Sequence, residues 1–156
     1  MIYRMVATLA QFDPEYQALD EIILDSHAME ASSIASFAKV KKGGRFHTHP
    51  AFIDALSQPA GFVMNANEKS NLEKEVFVNH GWRNFQLFER ISDNKAYQML
   101  VKMSELPGNA WAGDLLVLDG EVIVANFEGI VVCLIISQNA NGTIHIAVRH
   151  WKWKFY

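Results

Sequence analysis

Three polar side chains follow one another along an apolar segment at spacings that place them on one side of a helix. Gln58 lies four residues after Asp54, and Asn65 lies eleven after it. At about 100° per residue, these offsets put all three side chains within roughly 40° of one another. Gly61, seven residues after Asp54, falls on the same stripe and leaves room for a ligand or a backbone to approach. This face therefore offers an acid, an amide and a gap.

A carboxylate on an apolar helix is costly unless it is hydrogen-bonded, paired or open to a cavity. Burial would favour the protonated form of Asp54, which could then donate a proton or take one up. With Phe52 and Phe62 as neighbours, such a surface suits an oxygenated, largely apolar molecule. The structural alternative is that Asp54 caps a neighbouring loop and Gln58 bonds the sheet.

Six histidines raise the question of a metal ion or a general base. His47 and His49 are two residues apart and His80 is distant, but no further ligand lies at a spacing typical of a zinc site. We therefore expect no metal and no cofactor. His49 or His80 could instead act as a base or bond Asp54, whereas a histidine satisfied at a helix cap or strand end is the structural alternative.

The composition bounds the class of protein and its partners. The 156 residues fit one domain, and 10 Phe, 4 Trp and 4 Tyr supply a packed core. A net charge of −3 gives no electrostatic reason to expect nucleic acid. The longest apolar run, 130–136, is too short to cross a bilayer, and no signal peptide is visible. With Cys133 as the single cysteine, a reducing compartment is favoured, and we expect a cytoplasmic protein.

The helix that would position the polar stripe begins near Pro50, which suits a first helical turn. A short amphipathic helix is predicted from Ile2 to near Asp13-Pro14, and a final hairpin is predicted over 131–137 and 143–152. Other segments with strand composition are separated by turn clusters: 21–24, 31–40, 75–78, 81–88, 97–103, 115–118 and 122–125. The predicted architecture is α+β, a central helix wrapped by an antiparallel sheet of about five to seven strands.

One segment resembles a known family. Polyketide synthase dehydratase and product-template domains are double hot-dog folds whose second helix carries a His-Pro-x-x-x-Asp-x-x-x-Gln/His signature. The chain matches this signature, and the Gly-Phe-x-x-Asn extension of the fungal product-template branch, at His49, Pro50, Asp54, Gln58, Gly61, Phe62 and Asn65. Similarity continues in the lead-in, 3–31, and in later strands, at His80-Gly81-Trp82, Tyr97, Val101-Lys102-Met103 and Ala112-Gly113-Asp114. The resemblance implies a single hot-dog domain over 1–156, equivalent to the second half of the double fold, with an atypical tail over 131–156.

The resemblance also implies roles for individual residues. Asp54 corresponds to the catalytic aspartate and Gln58 to the residue that orients it. In the family, the aspartate works with a histidine of the first hot-dog, within a His-x-x-x-Gly-x-x-x-x-Pro signature that has no copy in these 156 residues. The predicted catalytic residues are Asp54, Gln58 and His49. The predicted substrate-binding residues are Asn65, Phe52, Gly61, Phe62, His80 and Trp82.

The function implied is that of a free-standing cyclase or dehydratase-like lyase of polyketide biosynthesis, in which Asp54 acts as acid or hydrogen-bond donor. Such an enzyme would direct an aldol, dehydrative or pericyclic closure of a reactive polyketide-derived intermediate. A second enzymatic reading keeps a dehydratase-like dyad and recruits His49 or His80, from the same chain or its neighbour. The alternative from another class is a non-catalytic binding module or pseudo-enzyme that holds an acyl or aromatic ligand.

The expected partners follow from the same resemblance. They are the small-molecule substrate, an acyl carrier protein and a second copy of the chain. A homodimer is expected because an isolated half of a double hot-dog exposes an edge strand and apolar surface. No membrane partner is expected.

Overall fold

The computed structural model describes residues 2–5, 12–40, 43–68, 70 and 75–136. Its helices are α1 (Ile2–Met5), a short 3-10 helix (Pro14–Tyr16) and α2 (Pro50–Asn65). Its strands are β1 (Leu19–Asp25), β2 (Glu30–Ser36), β3 (Glu75–Gly81), β4 (Asn84–Leu87), β5 (Ala96–Leu106), β6 (Ala110–Asp119) and β7 (Val122–Ile136). None of the helices in these ranges is long and apolar enough to cross a membrane.

The strands form one antiparallel sheet of seven strands in the described chain, in the order β1-β2-β5-β6-β7-β3, with β4 also paired to β7. Turn chemistry explains why β1 and β2 form a hairpin. The Asp25 carboxylate accepts hydrogen bonds from the N–H groups of His27 and Ala28, each at 2.9 Å, and so closes the turn between the two strands. The hairpin between β5 and β6 turns through Gly108 and Asn109, whose φ angles are 86° and 59°.

Helix α2 packs against every strand except β4. Its Ala51, Ala55 and Leu56 are completely buried, and alternate residues along β5 enter the same core because successive side chains of a strand point to opposite faces. Pro59 stands inside the helix and is buried, yet the helix continues to Asn65. The predicted central helix with an antiparallel sheet around it is therefore the observed architecture.

The structure corrects three predicted strands. The strand predicted over 31–40 ends at Ser36, because a hydrogen bond from the N–H of Val40 to the carbonyl of Phe37 closes a turn. The strand predicted over 81–88 is divided, since Gly81 has a φ of 138°, which departs from extended geometry.

The predicted start of a separate strand at residue 131 is also wrong. The range Val122–Ile136 is one strand, which pairs with β6 on one side and successively with β4 and β3 on the other. The remainder of the predicted final hairpin and most of the predicted first helix lie outside the described residues.

Candidate functional site

Asp54 and Gln58 stand on successive turns of α2 and are hydrogen-bonded to each other. Gln58 Nε2 donates to Asp54 Oδ2 at 2.8 Å and to the backbone oxygen of Tyr16 at 2.9 Å. The Gln58 side chain is buried, with 8% of its residue surface exposed. The second carboxylate oxygen, Asp54 Oδ1, has no hydrogen-bond partner in the described part of the chain. One oxygen of the acid is therefore held and the other is available.

The apolar pattern around Asp54 predicts that this carboxyl is buried, and the prediction is wrong. Asp54 and Pro50 are the two exposed residues of α2, and the half-buried Gly61 lies on the same stripe. The sheet and the 3-10 helix pack against the other sides of α2. The stripe is therefore open at Asp54 and Gly61, whereas its Gln58 and Asn65 are buried. A Cβ atom added to Gly61 would meet nothing within 4 Å. The predicted gap beside the acid is thus present.

Tyr3, which no sequence motif assigns to the site, completes the hydrogen-bond network. Its Oη donates to Gln58 Oε1 at 2.8 Å and accepts from the N–H of Leu19 at 3.0 Å. Burial raises the pKa of the Tyr3 hydroxyl to about 12, the negative charge of Asp54 adds to this, and the hydrogen bond from Leu19 opposes it. No spacing rule reveals this contact, because Tyr3 and Gln58 are 55 residues apart.

His49 and Phe52 lie at the first turn of α2 and line a cleft of about 530 Å³. His49 is the N-cap residue, and its Nδ1 accepts the N–H of Ala51 at 3.2 Å. This contact leaves Nε2 to carry the proton of the neutral ring. The ring also packs against Phe46 and Phe52, with centroids 5.5 and 5.7 Å apart. His49 thus has the capping role that was its structural alternative, and a catalytic role for it stays a prediction.

Asn65 uses its side-chain amide to join α2 to β3. Its Nδ2 donates to the carbonyls of Gly61 at 3.0 Å and Phe77 at 2.8 Å, and its Oδ1 accepts the N–H of Phe77 at 2.9 Å. These three bonds explain why an amide stands at this buried position. A further role of Asn65 in substrate binding stays a prediction.

The remaining predicted substrate-binding residues are Phe62, in α2, and His80 and Trp82, at the end of β3. Phe62 is in the core, 3% exposed, with its ring edge-on to Tyr3 at 5.9 Å. His80 is half-buried in β3, and Trp82 follows this strand and packs edge-on to Phe127 at 5.3 Å. Their contact with a substrate stays a prediction. Within the described ranges, no three His, Cys, Asp or Glu side chains are grouped so that they could hold a metal ion.

Comparison with known proteins gives a family match over most of the chain. Residues 2–139 match the family model described as polyketide synthase dehydratase N-terminal domain. The chain is 52% identical over 132 residues to the non-reducing polyketide synthase VdtA of Byssochlamys spectabilis, and 50% identical over 125 residues to the non-reducing polyketide synthase pgmA of Aspergillus terreus. These alignments cover 85% and 80% of this chain but only 6% and 5% of the two synthases.

A solved structure gives the fold match. The dehydratase domain from the CurJ module of curacin polyketide synthase superposes with a TM-score of 0.66 at 18% sequence identity, over 85% of this chain and 46% of that one. This likeness confirms the single hot-dog fold predicted from the sequence. The family model is described as an N-terminal domain, whereas the motifs resemble the second half of the double fold, so the assignment to one half stays a prediction.

Proposed function

The chain belongs to the polyketide synthase dehydratase family, and from that premise we propose that it is a cyclase or dehydratase-like enzyme for a polyketide-derived intermediate. The observation that carries the proposal is the hydrogen bond from Gln58 Nε2 to Asp54 Oδ2 on the open stripe of α2. Because Gln58 Nε2 is a donor, it faces an oxygen that carries no proton. When Asp54 is protonated, its proton therefore belongs on Oδ1.

This arrangement suits an aldol closure. A methylene carbon of a poly-β-ketone loses a proton to Asp54 Oδ1 and forms a carbon–carbon bond with a ketone carbon of the same chain. The π electrons of that carbonyl move to its oxygen, which takes the proton from Asp54 Oδ1 and so restores the carboxylate. Subsequent loss of the new hydroxyl as water, with a proton from the neighbouring carbon, gives the dehydrated ring. A donor aimed at the developing negative charge lowers the barrier of the first step.

The relatives support a proposal for how the substrate reaches the site. The alignment spans about 6% of the synthase VdtA, so we propose that the substrate arrives as a thioester on an acyl carrier protein.

The open stripe supports a proposal for a second partner. A second hot-dog unit would cover the stripe and enclose the substrate. We propose a second copy of this chain in that place, which light scattering of the purified chain should reveal as a dimer; a monomer at micromolar concentration would contradict it.

The test of the function compares Asp54→Asn and Asp54→Ala with the unaltered chain. A linear poly-β-keto N-acetylcysteamine thioester serves as substrate, and mass spectrometry follows the cyclised products above the spontaneous background. If Asp54 transfers a proton, both variants should lose most of the turnover. If Asp54 only donates a hydrogen bond, Asp54→Asn should keep much more activity than Asp54→Ala. Gln58→Ala should have a smaller effect than Asp54→Ala.

Asp13→Asn is the matched control, because Asp13 is exposed and its side chain makes no capping hydrogen bond. This variant should keep full activity. If Asp54→Ala is as active as Asp13→Asn, with an unchanged circular dichroism spectrum and oligomeric state, then the helix is not the catalytic element. The non-catalytic binding module would then be the better account.

A further inference from the structure

The hydroxyl of Tyr3, which belongs to α1, meets the side-chain amide of Gln58 in α2 and the backbone N–H of Leu19 at the start of β1. We propose that Tyr3 is a positioning residue, whose hydroxyl fixes the Gln58 amide in the orientation that holds Asp54. The role rests on the proposed function, since Asp54 is the group that Tyr3 serves through Gln58.

The contacts of the Gln58 amide determine its orientation. Nε2 faces two acceptors, the Tyr16 carbonyl at 2.9 Å and Asp54 Oδ2 at 2.8 Å. Oε1 faces one donor in the described chain, the Tyr3 hydroxyl at 2.8 Å. A flipped amide would set its oxygen against two other oxygens. If the Tyr3 hydroxyl were removed, the buried Gln58 Oε1 would lose its hydrogen-bond donor. The Gln58 side chain could then bond Oε1 to water only by leaving this position.

Tyr3 is itself held in place for this contact. The N–H of Leu19 donates to its Oη at 3.0 Å, and its ring packs edge-on to Phe62 at 5.9 Å. Its hydroxyl proton has a nearer acceptor in Gln58 Oε1, at 2.8 Å, than in the Tyr16 carbonyl, at 3.3 Å. Because burial raises the pKa of Tyr3 to about 12, the phenol keeps this proton through the neutral pH range and remains a donor.

The structural test measures the Gln58 amide directly. In Tyr3→Phe, the Gln58 side-chain NH₂ protons should exchange with solvent about tenfold faster or more, as measured by ¹⁵N NMR. Tyr97→Phe is the matched control, because Tyr97 Oη likewise accepts a backbone N–H, that of Ser92 at 2.8 Å, at another place in the fold. It should leave the Gln58 exchange rate unchanged. Equal exchange rates in Tyr3→Phe and the unaltered chain would overturn the proposal.

The kinetic test separates positioning from general loss of structure. Tyr3→Phe should lower kcat about tenfold or more with little change in KM, because a misplaced acid affects the chemical step. In a Gln58→Ala background it should have no additional effect, since Tyr3 acts through Gln58. An equal loss in both backgrounds would overturn the role.

Failure of the Tyr3 role can be distinguished from failure of the proposed function. Full activity of Asp54→Ala would refute the proposed function, while the Gln58 exchange rate would still decide whether Tyr3 fixes the amide. If Tyr3→Phe does not fold, the unaltered chain provides the measurement. Slow exchange of its Tyr3 hydroxyl proton and Gln58 amide protons would support the contact, and fast exchange of both would refute it.

Discussion

Replacing Gly61 by alanine should stabilise the chain, because this glycine lies inside α2 with open space where a side chain would begin. A Cβ atom there would meet nothing within 4 Å, and the residue has no positive φ that would require glycine. Alanine inside a helix is favoured over glycine by about 0.5–1 kcal/mol. For a domain of this size, each kcal/mol changes the Tm by about 2–4 °C. The expected rise in Tm is therefore about 1–4 °C.

Thermal unfolding followed by circular dichroism measures this change in Tm. Gly113→Ala is the comparison variant, which should be destabilised instead. A Cβ on Gly113 would collide with the backbone oxygen of Lys102, so this variant must displace a strand and should lose about 2 kcal/mol or more of stability. Gly61→Leu would then test the functional side: it should keep the fold but reduce turnover, if the substrate occupies the space beside Asp54. A lower Tm for Gly61→Ala would mean that the space beside Gly61 is not open, and it would refute the prediction.

Two further predictions concern stability. Asn65→Ala removes three hydrogen bonds at a buried position and should lower the free energy of unfolding by about 2–4 kcal/mol in urea titrations; an unchanged midpoint would contradict the structural role of this amide. The N–H groups of Ala28 and His27 lower the pKa of Asp25. The Asp25 carboxylate therefore stabilises the fold at pH values above its pKa in the unfolded chain. This contribution is lost as the pH falls through its pKa in the folded chain. The Tm difference between Asp25→Ala and the unaltered chain should accordingly be largest at neutral pH and shrink in acid, and a difference independent of pH would count against the turn contact.

Local periodicity was sufficient to predict α2 and to place Asp54 and Gln58 on one face of it, because side chains four residues apart on a helix are neighbours whatever surrounds them. The exposure of Asp54 could not be predicted in this way. It depends on which side of the helix the sheet leaves uncovered, and that is a property of the whole fold. The Tyr3 contact has the same origin, since it joins residues 55 positions apart. Strand ends were missed where one residue decides them, as Gly81 does with its φ of 138°.

The Asn65 amide also has a consequence for how the sheet can grow. β3 is the last strand in the sheet order of the described chain, and Phe77 is its third residue. The N–H and C=O of one residue in an antiparallel strand point to the same side, so the two Phe77 groups that bind Asn65 point away from β7. The side chain of Asn65 thus occupies the hydrogen-bonding groups of Phe77 that the peptide group of a neighbouring strand would use. Any strand added along this edge must displace that amide or leave the residue opposite Phe77 without its backbone hydrogen bonds, which disfavours indiscriminate edge-to-edge association.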